Sequence, residues 1–141
     1  MGYEIQVTVD SANPHAQAKW WARALGWQVE PSDEQFIRGL VAAGHARESD
    51  TLVFEGVLVW REGAAISDPE HPQQPRILFQ LVPEGKSVKN RLHLDLRVGD
   101  RREEVAEELA ADGASILHRG QQGPSVWITM ADPEGNEFCV G

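Results

Sequence analysis

Polar side chains alternate with apolar ones in two segments whose pattern predicts β-strands. His93, Asp95 and Arg97 share one side of the later segment, and Gln6 and Thr8 share one side of the earlier one. An imidazole with an unperturbed pKa near ~6.5 suits proton transfer at neutral pH, and it also serves as a hydrogen-bonding group for a ligand. Because buried polar groups need partners, a wet cavity that holds a ligand explains both rows, and a solvent-exposed sheet face is the alternative.

The apolar residues of the same two segments are expected to pack against helices. The predicted strands cover residues 3–10 and 91–98, and their apolar positions are Ile5, Val7, Val9, Leu92, Leu94, Leu96 and Val98. Further strands are predicted at residues 27–30, 57–67, 77–82, 115–118, 126–130 and 137–140, and a helical insertion is predicted at 33–48.

A capped helix follows each of the two alternating segments. Asn13 and Pro14 predict the start of a helix that ends at Gly26, and Asp100 predicts the cap of a second helix that ends at Gly113.

The two halves of the chain repeat one another in outline. Gly26 follows Gln6 by 20 residues, and Gly113 follows His93 by 20 residues. A turn signal, Asp-Pro-Glu, occurs at residues 68–70 and again at 132–134. The repeat predicts an α+β fold of two βαβββ modules, over residues 1–84 and 91–141, that together form one compact domain.

Composition restricts the class of protein. The 141 residues carry a net charge of −9, which argues against nucleic-acid binding. The single cysteine, Cys139, excludes an internal disulfide, and no apolar run approaches the ~20 residues that span a bilayer. We therefore expect a cytoplasmic protein with no membrane partner. Five tryptophans suit a packed core or an aromatic cavity, and Trp127 lies on a strand near the polar row.

Three motifs resemble those of glyoxalase-like domains of the actinobacterial type. They are residues 9–14 (VDSANP) with the tryptophans and glycine of 20–27, residues 89–98 (KNRLHLDLRV) and residues 130–140 (MADPEGNEFCV). The resemblance places the chain in the vicinal oxygen chelate superfamily, also known as the glyoxalase/bleomycin resistance/dioxygenase superfamily. It implies a curved mixed sheet around a central cavity, and a homodimer.

The resemblance also implies a set of ligand positions, in which metal-dependent members carry His or Gln, Glu, His and Glu. The matching positions here are Gln6, Gln80, His93 and Cys139. Gln80 and Cys139 stand where carboxylates are usual, so no cofactor is expected. A divalent metal remains the alternative if Asp95 or Glu137 contributes.

Two functions follow from these residues. The first is a small-molecule-binding protein whose ligand contacts Gln6, Thr8, Gln80, His93, Asp95, Trp127 and Cys139. The alternative is a lyase, isomerase or dioxygenase that uses a metal, or His93 as its catalytic residue. The acidic pairs at 103–104 and 107–108 suggest a protein-interaction module, but a solvated helix face explains them better.

Overall fold

The computed structural model describes all 141 residues, and their contacts divide into two compact units, Met1–Gly85 and Lys86–Gly141. In chain order the first unit comprises β1 (Val7–Ser11), α1 (Pro14–Leu25), β2 (Gln28–Val29), α2 (Glu34–Ala42), β3 (Thr51–Phe54), β4 (Val57–Trp60), β5 (Gly63–Ser67) and β6 (Ile77–Leu81). The second comprises β7 (Asp95–Leu96), α3 (Arg102–Ala111), β8 (Ser115–Gln122), β9 (Ser125–Ala131) and β10 (Glu137–Val140). None of the helices is long and apolar enough to cross a membrane.

Each unit contains a mixed four-stranded sheet with the same connectivity. The strand order is β1-β6-β5-β2 in the first unit and β7-β10-β9-β8 in the second. In each sheet the first and last strands of the unit pair in parallel, and the other neighbours are antiparallel. The α+β fold and its repeated βαβββ order are as the sequence predicts, with α2 and the β3–β4 hairpin inserted in the first unit.

Helix α1 forms where its capping residues predict it. The side chain of Asn13 accepts a hydrogen bond from the amide of Ala16, and Pro14 occupies the first turn. Gly26 ends the helix with a φ of 69°, a conformation that favours glycine. The buried face of the helix carries Trp20 and Trp21, whose rings meet edge to face at 5.0 Å.

The predicted strands are shortened at their starts, and this changes the predicted core. Ile5 is 72% exposed and Leu92 is 78% exposed, because β1 begins only at Val7 and β7 only at Asp95. Both residues come before the paired part of their strands. Because no neighbouring strand pairs with the chain there, the alternation of polar and apolar residues does not place Ile5 or Leu92 on a covered sheet face. The buried cores instead centre on Phe79 and Phe138.

Three other predicted elements differ in the structure. The insertion helix ends at Ala42 rather than at residue 48, and an unpredicted strand, β3, follows it and forms a hairpin with β4. The turn residues of this hairpin, Glu55 and Gly56, both have positive φ. Asp100 does not cap α3, because residues 99–101 form a 3₁₀ turn and the helix begins at Arg102. Strand β8 extends to Gln122, four residues beyond the predicted end at residue 118.

Candidate functional site

A row of polar side chains crosses the sheet of the second unit. Asp95 on β7 lies opposite Cys139 on β10, Cys139 lies opposite Thr129 on β9, and Thr129 lies opposite His118 on β8. Directly opposed residues of neighbouring strands point to the same face of a sheet. The four side chains therefore share one face.

This face forms part of a pocket of about 660 Å³. Four of the residues predicted from the sequence line it, namely His93, Asp95, Trp127 and Cys139. The pocket also contains residues that the sequence did not predict as ligand contacts, namely Lys89, Arg97, Arg102, His118 and Thr129. The only sequence signal for Arg97 was the alternation of polar and apolar residues, which places it on the same side of the predicted strand as His93. No sequence signal indicated Arg102.

His93 and Asp95 are joined by a hydrogen bond of 2.8 Å between Nδ1 and Oδ1. A carboxylate only accepts, so Nδ1 is the donor, and Nε2 remains available to a ligand. Both side chains are partly solvent-exposed, at 40% for His93 and 61% for Asp95. This arrangement orients the imidazole without burying it.

Cys139 completes a cluster of three groups that are able to ligate a metal. One ligand atom each from His93, Asp95 and Cys139 lies within 4.8 Å of the other two, and the Cys139 Sγ is 3.6 Å from the Thr129 hydroxyl. An imidazole, a carboxylate and a thiolate are all ligands that zinc accepts, so the donor types fit that ion. Binding an ion through all three would require the thiol to lose its proton and the carboxylate to reorient away from His93.

Glu137, the other carboxylate of the pocket, is already engaged. Its Oε1 accepts from Lys86 Nζ at 3.1 Å and its Oε2 accepts from the Asn90 amide at 3.1 Å. Burial acts to raise the pKa of Glu137, but the hydrogen bonds from Asn90 and Lys86 outweigh it and hold that pKa below its ordinary value. The carboxylate is therefore charged at neutral pH, with Lys86 as its counter-ion.

Trp127 is positioned by the residue opposite it. It pairs with Gly120 across β8 and β9, and a Cβ added at Gly120 would lie 2.4–2.6 Å from three atoms of the indole. Only glycine leaves room for the ring on this part of the sheet. The sequence contains Gly120 but not its pairing, so this supporting role was not predicted.

Gln6 and Thr8 belong to a hydrogen-bonded network of the first unit. Gln6 Nε2 donates to the Thr8 hydroxyl at 3.3 Å, and Gln6 Oε1 accepts from Arg76 at 2.8 Å. Arg76 in turn forms a salt bridge with Glu30 at 2.9 Å. Both polar atoms of the Gln6 amide thus have partners within this network.

The register of the first sheet differs from the equivalence that the resemblance implies for Gln80. In the second sheet, Cys139 lies opposite Thr129, which is two residues before Ala131 at the start of the turn. In the first sheet, the residue two before the equivalent Ser67 is Ala65, and it lies opposite Leu78. Leu78 is therefore the counterpart of Cys139, and Gln80 lies one pleat further along. Gln80 is exposed and lines a different pocket of the first unit, with Glu62 and Leu40.

The first unit also has a more apolar pocket of about 610 Å³ beside the insertion. Phe36 and Phe54 are among its lining residues, and His15 lies against it with its Nε2 bonded to the Trp60 carbonyl at 2.7 Å. His15 is buried, and its Nε2 has a partner in this bond.

Comparison with protein families now decides the classification. A family model described as a glyoxalase-like domain matches residues 6–141. The chain belongs to this glyoxalase-like family. The predicted family is confirmed, and the narrower actinobacterial type stays a prediction. Among curated proteins, no sequence matches the chain significantly.

Solved structures share the glyoxalase-like fold at low sequence identity. A glyoxalase/bleomycin resistance protein/dioxygenase family enzyme from Burkholderia phytofirmans PsJN has a TM-score of 0.60 at 13% identity, covering 96% of this chain and 94% of that chain. Fosfomycin resistance protein FosX from Mesorhizobium loti has a TM-score of 0.63 at 8% identity, covering 99% and 90%. A mutant of FosX from Listeria monocytogenes, complexed with Mn(II) and dihydroxypropylphosphonic acid, has a TM-score of 0.65 at 8% identity, covering 99% and 89%. At these identities the likeness shows the fold.

Proposed function

We propose that this glyoxalase-like protein binds a small organic molecule in the pocket of its second unit. The observation that carries the proposal is the polar row of Asp95, Cys139, Thr129 and His118, which faces a pocket of about 660 Å³. Ligand sites in proteins typically have volumes of roughly 300–1,000 Å³ and combine a few convergent polar groups with an aromatic wall. Trp127 supplies the aromatic wall here.

Within this proposal His93 is a binding residue. Its Nδ1 is held by Asp95, so its Nε2 is the atom that meets the ligand. Gln6, Thr8 and Gln80 belong to the first unit and do not line this pocket, so ligand contacts at these three residues stay a separate prediction. Gln6 already bonds to Arg76 and Thr8, so a ligand would have to compete with these partners.

Fluorine NMR of protein labelled with 5-fluorotryptophan tests the proposal. We expect at least one of four aromatic probes (benzyl alcohol, benzamide, benzoate and phenylphosphonate) to shift the Trp127 resonance, assigned with a Trp127→Phe variant. The resonances of Trp20 and Trp21 should stay in place, because both residues lie on the buried face of α1 in the first unit. The change His93→Gln should weaken binding by roughly two- to tenfold, which is the value of one hydrogen bond.

The matched control is His71→Gln, which alters an exposed histidine of the first unit. It should leave the affinity unchanged. If no probe moves the Trp127 resonance, or if His71→Gln weakens binding as much as His93→Gln, the second unit is not the binding site that we propose.

The cluster of His93, Asp95 and Cys139 favours a second candidate, a metal-dependent lyase, isomerase or dioxygenase. These three residues would hold the ion, which supplies Lewis acidity for polarising a carbonyl or activating water. The residues of this chain would then orient the substrate, with Trp127 beside it and His118 on the same sheet face.

We expect the purified protein to contain less than one divalent metal ion per chain, as measured by plasma mass spectrometry. Asp95 already accepts a hydrogen bond from His93, and the Cys139 thiol must lose its proton before it can bind an ion. One zinc, nickel or iron per chain, lost in Cys139→Ser and kept in the control variant His45→Gln, would contradict this expectation. That result would place the enzyme hypothesis first.

The homodimer that the resemblance implies stays a prediction, and sedimentation velocity at micromolar concentration tests it.

A further inference from the structure

The pocket of the second unit is lined by three cationic side chains although the chain as a whole carries a charge of −9. They are Lys89, Arg97 and Arg102. The two carboxylates of the pocket already have partners, since Asp95 binds His93 and Glu137 binds Lys86. The pocket thus contains more positive charge than its own carboxylates neutralise.

Arg102 has a buried donor group that the chain itself does not satisfy. Its Nε is buried and has no hydrogen-bond acceptor. The neighbouring Arg101 pairs with Glu104 at 3.1 Å, and Arg119 pairs with Glu103 at 2.8 Å, so carboxylates close in sequence to Arg102 are bound to other arginines. A buried N–H group without an acceptor costs free energy, and such groups in native proteins normally meet a water, an ion or a ligand.

We propose that the ligand of this pocket carries an oxyanion, either a carboxylate or a phosphate-type group, that accepts hydrogen bonds from Arg102. The planar guanidinium presents two parallel N–H groups, which match the oxygen pair of such an anion. Arg97, which lines the same pocket, adds a second positive charge. This inference rests on the proposed function and defines the chemical class of its ligand.

Calorimetric titration with matched aromatic probes tests the charge preference. Benzoate and phenylphosphonate carry the anion, and benzamide has the size and ring of benzoate without the charge. We expect the anionic probes to bind at least roughly tenfold more tightly than benzamide, with phenylphosphonate and benzoate distinguishing a phosphate-type group from a carboxylate.

Two adjacent arginines provide a matched pair of variants. Arg102→Gln should remove the preference for the anion, whereas Arg101→Gln, which removes the same charge from an exposed side chain, should leave it unchanged. Arg102→Lys should retain part of the preference, because it keeps the charge but loses the guanidinium fork. Circular dichroism spectra of the variants check that they are folded.

The outcomes separate the inference from the proposed function. If the four fluorine-NMR probes shift the Trp127 resonance but anionic and neutral probes bind equally, the pocket binds small molecules and the oxyanion inference is wrong. Equal losses in Arg101→Gln and Arg102→Gln would overturn it as well, because the effect would then come from net charge. If no probe shifts the Trp127 resonance, both the inference and the proposed function fail.

Discussion

Replacing Asp132 with alanine is expected to lower the free energy of unfolding by about 3 kcal/mol. Asp132 is only 4% exposed, and its Oδ1 accepts from the amides of Glu134 and Asn136, both at 2.9 Å. Its carboxylate also accepts from the side-chain amide of Asn136. Alanine leaves these donors without a partner inside a turn that connects β9 to β10.

The effect should extend to the wall of the pocket. Asn136 Oδ1 accepts from the side-chain Nδ2 of Asn90 at 3.0 Å, and the backbone amide of Asn90 donates to the Glu137 carboxylate. Chemical denaturation followed by circular dichroism measures the loss of stability, and hydrogen exchange shows whether residues 86–90 lose protection.

Asp68→Ala is the matched control, because Asp68 begins the equivalent turn of the first unit. Its Oδ1 accepts from the backbone amide of Glu70 at 3.0 Å, and its Oδ2 accepts from the side chains of His71, which is exposed, and Gln74. We expect a loss of about 1 kcal/mol for this variant. Equal losses for the two variants would show that the second backbone bond of Asp132 does not stabilise the turn.

Changing Gly120 to alanine is expected to destabilise the protein by about 2 kcal/mol and to rotate the Trp127 indole. The new Cβ would lie 2.4–2.6 Å from the ring atoms Cε2, Cζ2 and Nε1, closer than any normal contact. Because the ring is the aromatic wall of the pocket, probe binding should weaken together with stability. The Trp127 fluorine resonance and thermal unfolding provide the two measurements.

Gly39→Ala is the control for this prediction. Gly39 lies within α2, and a Cβ there meets nothing within 4 Å. Alanine in a helix interior should stabilise the protein by roughly 0.5–1 kcal/mol relative to glycine. A Gly120→Ala variant that keeps the wild-type Trp127 resonance would contradict the role that we assign to the glycine.

Local signals along the chain were sufficient to predict several elements of the fold. Helix α1 begins and ends at residues that act locally, namely Asn13, Pro14 and Gly26. Their capping interactions reach only three or four residues along the chain. The two Asp-Pro-Glu turns and the two 20-residue spacings predicted the repeated βαβββ order for the same reason. The family resemblance rested on these segments too, and it was sufficient to predict the fold.

Tertiary structure decided which side chains meet. Asp95, Thr129 and Cys139 become neighbours only through the pairing of β7, β9 and β10. Alternation indicates the face of a side chain but not the register of its strand, and a shift of two residues keeps the face while it changes every partner. This is why Gln80 was matched to Cys139 when the register assigns that position to Leu78.

The charge of the pocket was beyond sequence reasoning for a related reason. Arg101 and Arg102 are adjacent and identical in type, and the same two glutamates, Glu103 and Glu104, follow the pair. The helix turns successive residues to different sides, so Arg101 pairs with Glu104 in solvent while Arg102 lines the pocket. Which of the two arginines meets a ligand depends on how α3 packs on its sheet, and that packing is determined by contacts between residues far apart in the sequence.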